Sequence, residues 1–390
     1  MLNKYVFSGG AAMLFVGAVG AHAQGSITLY GIVDEGLTYS SNQKGFSVVQ
    51  LQSGKLGGSR WGLRGAENLG NGLSAIFNLE NGFNATNGTN SAGRIFGRTS
   101  IVGLSQKGIG AVTFGRQSDS LADIVAPFFG AGFWTPATHI GDNDDMNWYF
   151  RVNNSVKATT ETISGFKFSS IYGFSNQAGA FANNREWSAA VSYVHGPFSL
   201  GGGYMLLNHP NSTSNTSGAL GGASASNGDD YGTAFFYGLD GGVARQQVAA
   251  GGVGYVLGAA QIGLGFSNVQ LDYNDGASRK LNNLDANLRY RVSAPLTLIA
   301  DYTFTYGTAD RVPGSTGHLK PRWHQATLGL DYAMSKRTEC YASAEYQLAA
   351  GDASIKSGNS LEKIAYIQSA GGASSSNSQV AVSIGIRHKF

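Results

Sequence analysis

Hydrophobicity in this chain repeats every two residues, and that repeat excludes most folds at once. Between 281 and 293, Leu284, Ala286, Leu288, Tyr290 and Val292 alternate with Asn283, Asp285, Asn287, Arg289 and Arg291. Successive side chains of a strand point to opposite faces, so the first set shares one surface and the second shares the other. The last eleven residues, Val380 to Phe390, keep the same period and end on an aromatic ring. Helical spacing of apolar residues is almost absent.

The two faces differ too much for a water-soluble sheet. Arginine on a lipid-facing strand costs roughly 2 to 4 kcal/mol at the bilayer midplane, so Arg289 and Arg291 must face water while Leu284 and Leu288 face hydrocarbon. Charged residues are 13% of the chain, about half the usual share for a soluble protein, and 57 glycines, 18 tyrosines and 21 phenylalanines accompany them. This composition and alternation predict an all-β transmembrane antiparallel barrel, with Phe390 in the aromatic girdle at one interface as a terminal assembly aromatic.

The start of the chain agrees. Lys4, the apolar run Ala11 to Val19 and the small-x-small site Ala21-His22-Ala23 read as a secretory signal peptide over 1–23, leaving one barrel domain over 24–390. An exported barrel of this kind belongs in the bacterial outer membrane, with outer-membrane lipid and lipopolysaccharide around it. Cys340 is the single cysteine, so no intramolecular disulfide forms and its role is that of a small apolar residue. The formal net charge of +3 includes Lys4, and no basic stripe suits nucleic acid.

Alternating segments fall near 25–39, 57–66, 72–83, 94–105, 109–117, 150–159, 164–175, 185–195, 197–208, 244–256, 259–271, 281–293, 295–307, 322–334, 337–349 and 378–390, about 16 strands. Connections alternate between tight turns and long polar loops at 40–56, 118–149, 209–243, 308–321 and 350–377, the asymmetry of a barrel with a periplasmic and an external end. A barrel of that size is too wide for side chains to fill, so a water-filled pore for ions and small hydrophilic solutes is expected.

One sector of the inner wall is basic. Arg60 and Arg64, Arg94 and Arg98, Arg116, and Arg151 with Lys157 lie on neighbouring strands in compatible register, and the segment after Arg116 carries Asp119, Asp123, Asp142, Asp144 and Asp145. If 118–149 folds inward, carboxylates face guanidiniums across the lumen. The resulting transverse field orders water, which a polar solute can join and an apolar one must disrupt. The competing reading is that the arginines form bracing ion pairs.

Ile27-Thr28-Leu29-Tyr30-Gly31, Gly58-Ser59-Arg60-Trp61-Gly62-Leu63-Arg64-Gly65, Phe114-Gly115-Arg116-Gln117 and Gly385-Ile386-Arg387-His388-Lys389-Phe390 resemble the general diffusion porins of Gram-negative bacteria, especially their beta-proteobacterial branch. The resemblance implies a homotrimer of sixteen-stranded barrels, each narrowed by an inward third loop. It matches Arg60, Arg98 and Arg151 to the family's basic cluster and 118–149 to the constricting loop. Two departures stand out. Phe128 occupies the place of a loop-tip glutamate, which leaves Asp119 and Asp123 as the expected acidic rim. The 84–93 loop has no carboxylate to latch subunits together, which leaves outer faces containing Gly31, Gly65 and Gly103 to associate.

Other readings are weaker. A substrate-specific sugar or anion channel would use Phe128, Phe129, Phe133 and Trp134 as an aromatic slide. A barrel hydrolase needs a histidine beside a serine and a carboxylate, and His195, His209, His318 and His388 are badly spread for that. Asp142-Asn143-Asp144-Asp145 beside His139 has the oxygens for calcium but no glycine-punctuated ligand loop, so it reads as a solvated acidic loop and no cofactor or metal is expected.

Overall fold

The computed structural model describes residues 25–390 except 211, 222–230, 232–241, 353–354 and 358–359, so the 1–23 leader lies outside the described residues. The strands are β1 (Ser26–Gln43), β2 (Phe46–Ser53), β3 (Arg60–Gly70), β4 (Leu73–Gly82), β5 (Thr99–Gln106), β6 (Gly110–Gln117), β7 (Val152–Thr160), β8 (Phe166–Gly173), β9 (Arg185–His195), β10 (Phe198–Asn208), β11 (Val243–Leu257), β12 (Ala260–Tyr273), β13 (Ser278–Arg291), β14 (Leu296–Asp310), β15 (Pro321–Ala333) and β16 (Thr338–Gly351). A small hairpin, β17 (Ile355–Ser357) and β18 (Ser360–Glu362), precedes the last strand, β19 (Ser378–Lys389). Among the described residues, one α-helix, α1 (Ser120–Val125), lies between β6 and β7 and is followed there by short 3-10 turns.

Every strand of the main sheet pairs antiparallel with its neighbour, and β19 returns to β1. β2 and β3 both pair with β1, the first along Glu35 to Gln43 and the second along Ser26 to Ile32, so they share one position of a closed barrel of sixteen. Closure removes the unpaired edge that an open sheet would expose. At the seam, Gly31 N–H donates to the Phe390 carbonyl at 3.1 Å and Phe390 N–H donates to the Gly31 carbonyl at 3.0 Å.

Facing follows the pleat. Asn283, Asp285 and Asn287 are buried on the inner side, while Leu284, Leu288 and Tyr290 are exposed on the outer wall. The 40–56 region corrects the reading of a long loop: β1 runs on to Gln43, Lys44 and Gly45 form a two-residue turn with φ of 53° and 100°, and β2 follows. Polar residues from Ser40 to Lys44 disguise the strand, whose ladder is completed by Ala381 and Val382 across the seam. The strand expected from 94 starts only at Thr99, which leaves Arg94 and Arg98 in the preceding connection.

The glycine faces also need correction. Gly103 pairs with inward Thr113 between exposed Val102 and Leu104, so it faces the interior. Gly31 is covered by the Phe390 ring and Gly65 by the Phe77 ring.

Candidate functional site

The basic cluster is assembled by the break between β2 and β3. Asp34, fully buried on the inner face of β1, accepts hydrogen bonds from Leu56 N at 2.7 Å, Gly57 N at 2.9 Å and Tyr341 Oη at 2.7 Å. These bonds satisfy a buried carboxylate and draw 54–59 off the wall into the lumen.

Gly57 and Gly58 then form a floor without side chains. A Cβ on Gly57 would lie 3.6 Å from Arg387 Nη1 and 4.0 Å from Arg60 Nη1, and one on Gly58 would lie 3.2 Å from Arg98 Nη1. Three guanidiniums therefore reach this floor, within contact distance of the two glycines. Arg98 Nε donates to Glu80 Oε1 at 2.8 Å, and Arg60 Nε lies 3.7 Å from Glu80 Oε2. Tyr30 Oη adds a bond to Glu80 Oε2 at 2.9 Å. Burial and the like charges of Arg151 and Arg60 lower Arg98 to about 10, which leaves it protonated at neutral pH.

Arg60, Arg98, Arg151 and Arg387 line a cavity of about 610 Å³ in which Glu80 is the one carboxylate. Arg387 is also paired with Glu339 and reaches the Leu56 carbonyl at 3.4 Å, and Arg151 Nη1 donates to the Trp148 and Phe150 carbonyls at 2.5 and 2.8 Å. The far side of the cavity is the 118–149 segment, contributing Ala131, Gly132, Phe133, Thr135, Asn147, Trp148 and Tyr149.

That segment is pinned to the wall by rings seated on glycines. Phe128 lies over Gly201 and Gly252, Phe129 over Gly265, and Trp134 over Gly329; a Cβ would come 2.5, 2.6 and 2.5 Å from the rings at Gly201, Gly265 and Gly329, and 2.5 Å from Phe128 Cβ at Gly252. Polar bonds complete the seat. Gly130 N donates to Asp285 Oδ2 at 3.0 Å, Asn287 Nδ2 to the Phe128 carbonyl at 2.9 Å, and Gln325 Nε2 to the Pro136 carbonyl at 3.0 Å. Phe128, Phe129 and Trp134 are thus buried packing residues and provide no aromatic slide. Phe133 alone of the four lines the cavity, with Arg289 stacked 4.8 Å from its ring centroid.

The five aspartates do not form the rim expected opposite the arginines. Asp119 is fully buried and caps α1, accepting Ala122 N at 2.8 Å. Asp123 pairs with Lys157 and accepts Ser118 Oγ at 2.7 Å and Trp148 Nε1 at 2.9 Å. Asp142 accepts Asn147 N at 3.0 Å, Asp145 accepts Phe150 N at 3.1 Å, and Asp144 Oδ2 meets His139 Nδ1 at 2.8 Å. The run expected to be a solvated acidic loop is therefore buried: Asp142 and Asp145 satisfy turn N–H groups that would otherwise be orphaned inside the barrel, and Asp144 is held by His139 and Ser267.

Burial also weakens their charge. It pushes Asp119 up, raises Asp142 to about 8 with help from the Asp144 charge, and raises Asp145 with help from Asp119 and Asp142. Asp123 and Asp144 go the other way, because Lys157 and His139 outweigh burial and hold them below the usual carboxylate range. Both of the ionised pair thus have a cation beside them.

Among the sequence candidates, Arg60, Arg98 and Arg151 come together. Arg64 lies farther along β3, its guanidinium 5.0 Å over the Tyr30 ring. Arg94 stays in the connection before β5, where its carbonyl accepts Asn81 Nδ2 at 3.5 Å. Arg116 is buried off the lumen, donating to the Gly97 carbonyl at 2.7 Å and Asn153 Oδ1 at 2.6 Å. Glu80 and Arg387 were missed as site residues, although both sit on the wet face of an alternating segment and were findable from the pleat.

Comparison with known proteins places this geometry in context. The family model for Gram-negative porins matches residues 10–352. An outer membrane porin protein of Bordetella pertussis is 31% identical, with 97% of this chain and 98% of that protein covered. Outer membrane porin protein 32 of Delftia acidovorans is 28% identical, with 95% of each chain covered. The solved anion-selective porin from Comamonas acidovorans has the same fold, with TM-score 0.72 and 24% identity over 94% of this chain and 100% of that one.

Proposed function

This chain belongs to the Gram-negative porin family, and from that premise we propose that its channel favours anions. The protein is an outer-membrane porin, a water-filled channel for passive diffusion of ions and small hydrophilic solutes, and not an enzyme. The observation that carries the proposal is the charge around the cavity, lined by Arg60, Arg98, Arg151 and Arg387 with Glu80 as the one carboxylate among the described lining residues.

Magnitudes support the sign. An anion about 6 Å from one unbalanced guanidinium gains roughly 0.7 kcal/mol in water and about 3 kcal/mol at an effective dielectric of 20. The Debye length is about 8 Å at physiological salt, so this attraction survives across the cavity. The solved Comamonas acidovorans relative is itself described as anion-selective.

In this reading 118–149 is the constricting loop, and Asp119, Asp123, Asp142, Asp144 and Asp145 hold its shape rather than repel anions. Arg64, Arg94 and Arg116 brace the surrounding wall. Residues 1–23 are the export signal, Phe390 is the terminal assembly aromatic, lipid and lipopolysaccharide surround the outer wall, and the working unit is a homotrimer. OmpT, an outer membrane protein of Vibrio cholerae with the same fold, is described in a trimer form.

The test is the reversal potential of the purified protein in a planar bilayer under a tenfold potassium chloride gradient. Chloride should permeate faster than potassium. A potential of the opposite sign would overturn the proposal.

A further inference from the structure

The cavity that carries the proposed anion preference has two unlike sides, and we infer that it favours anions carrying an aromatic ring, such as benzoate, over inorganic or purely aliphatic anions of the same charge. The inference rests on the anion reading and adds the chemistry of the solute's uncharged part. One side presents the guanidiniums of Arg60, Arg98 and Arg387 converging over Gly57 and Gly58. The other presents Phe133, Trp148 and Tyr149 on the loop, with no carboxylate among the loop residues lining the cavity.

Each side selects separately. Guanidinium donates hydrogen bonds and accepts none, and its forked geometry suits a carboxylate. The one carboxylate on that side, Glu80, is already engaged by Arg98, Arg60 and Tyr30, and the Gly58 and Leu56 carbonyls are taken by Arg60 and Arg387. A neutral sugar, which needs acceptors as well as donors, is poorly matched there. A chloride ion finds the guanidiniums but leaves the rings bare to water.

The rings are positioned rather than loose. Arg289 stacks on Phe133, Trp148 Nε1 is tied to Asp123, and the Trp148 carbonyl is held by Arg151. A flat anion with its carboxylate on the guanidiniums can lay its ring against this side, and a cationic aromatic is repelled by the wall facing it.

The experiment reads block of the chloride current through the reconstituted full-length protein by sodium benzoate and by sodium acetate, together with the reversal potential in potassium chloride. Benzoate should block at roughly two- to tenfold lower concentration than acetate, the gain of one aromatic contact. Tyr149→Leu with Phe133→Leu should bring the two half-block concentrations together, while Tyr149→Phe, which retains a ring, should keep them apart. Equal block by the two anions in the unaltered protein, with chloride still preferred over potassium, would overturn this inference and leave the anion reading standing. A preference for potassium would overturn the anion reading and this inference with it. Heat-modified migration of each variant on a denaturing gel checks that the barrel has folded.

Discussion

Arg98 Nε donates to Glu80 Oε1 at 2.8 Å while a second guanidinium, that of Arg60, lies 3.7 Å from the other oxygen of the same carboxylate. One acid is therefore shared by two bases, and positive charge is left over beside the cavity between β3, β5 and the 118–149 segment. Of the two arrangements weighed from the sequence, bracing ion pairs are present at Glu80, whereas the loop carboxylates expected opposite the arginines are buried or paired elsewhere.

Replacing Arg60 and Arg98 together by serine should lower the chloride-to-potassium permeability ratio by about threefold or more, the effect of removing roughly 0.7 kcal/mol of attraction. Glu80→Gln should raise it. Reversal potentials in a salt gradient check both, and an unchanged ratio in the double variant would place the selective charge elsewhere.

Asp119→Ala should cost about 1 kcal/mol of stability through loss of the α1 cap and leave ion preference almost unmoved, since the carboxyl is fully buried. Asp123→Asn should cost more, roughly 1 to 3 kcal/mol, because it strands the Lys157 ammonium. Thermal melting in detergent ranks the two variants. A large selectivity shift in the first would contradict its placement.

Enlarging a seat glycine should unseat the loop. A Cβ at Gly265 would lie 2.6 Å from Phe129 and one at Gly329 2.5 Å from Trp134, so Gly265→Leu or Gly329→Val overpacks the contact by about 1 to 3 kcal/mol. Single-channel conductance should rise and become noisier. Conductance identical to that of the unaltered protein would mean that the loop does not narrow the passage.

The His139 and Asp144 clasp gives a pH signature. Burial would lower the imidazole, but the Asp144 charge and hydrogen bond, with Asp285 3.5 Å from its other nitrogen, raise it well above its ordinary value. A raised histidine contributes fully below its unfolded value of about 6.5 and fades as pH climbs through its folded value. Asp144 is depressed, so it contributes fully above about 4 and fades as pH falls through its folded value. The stability difference between the unaltered protein and His139→Gln should therefore be greatest between about pH 4 and 6.5 and shrink as the solution becomes alkaline. Melting curves across that range test it, and a difference that grows with alkalinity would assign the clasp the wrong sign.

The barrel was legible because its rule is local. A strand facing lipid on one side and water on the other writes that contrast into every second residue, so the pattern at 281–293 placed Asn283 and Asp285 inside and Leu284 outside as found. The pattern failed at 40–56, where polar residues carry β1 into a tight hairpin that pairs Ser40 with Val48 and Gln43 with Phe46, while Ser40 also meets Ala381, more than 300 residues away in the chain. It failed again at 94–98, where a basic residue every fourth position resembles a strand end but belongs to the connection.

Residue types along the chain were enough to settle a two-faced barrel in an outer membrane and a basic sector of its wall, within which the resemblance to porins picked out Arg60, Arg98 and Arg151. Which charges meet across the lumen depended on contacts between distant segments. Asp34 pulls in 54–59, three guanidiniums meet over Gly57 and Gly58, and ring-on-glycine seats place the loop so that Asp119, Asp142 and Asp145 accept from its own backbone while Phe133, Trp148 and Tyr149 line the arginine cavity. A carboxylate's pull on the pore depends on where its oxygens point, and inside a barrel that direction is set by which backbone N–H groups lack a partner, a quantity no local pattern of residues carries.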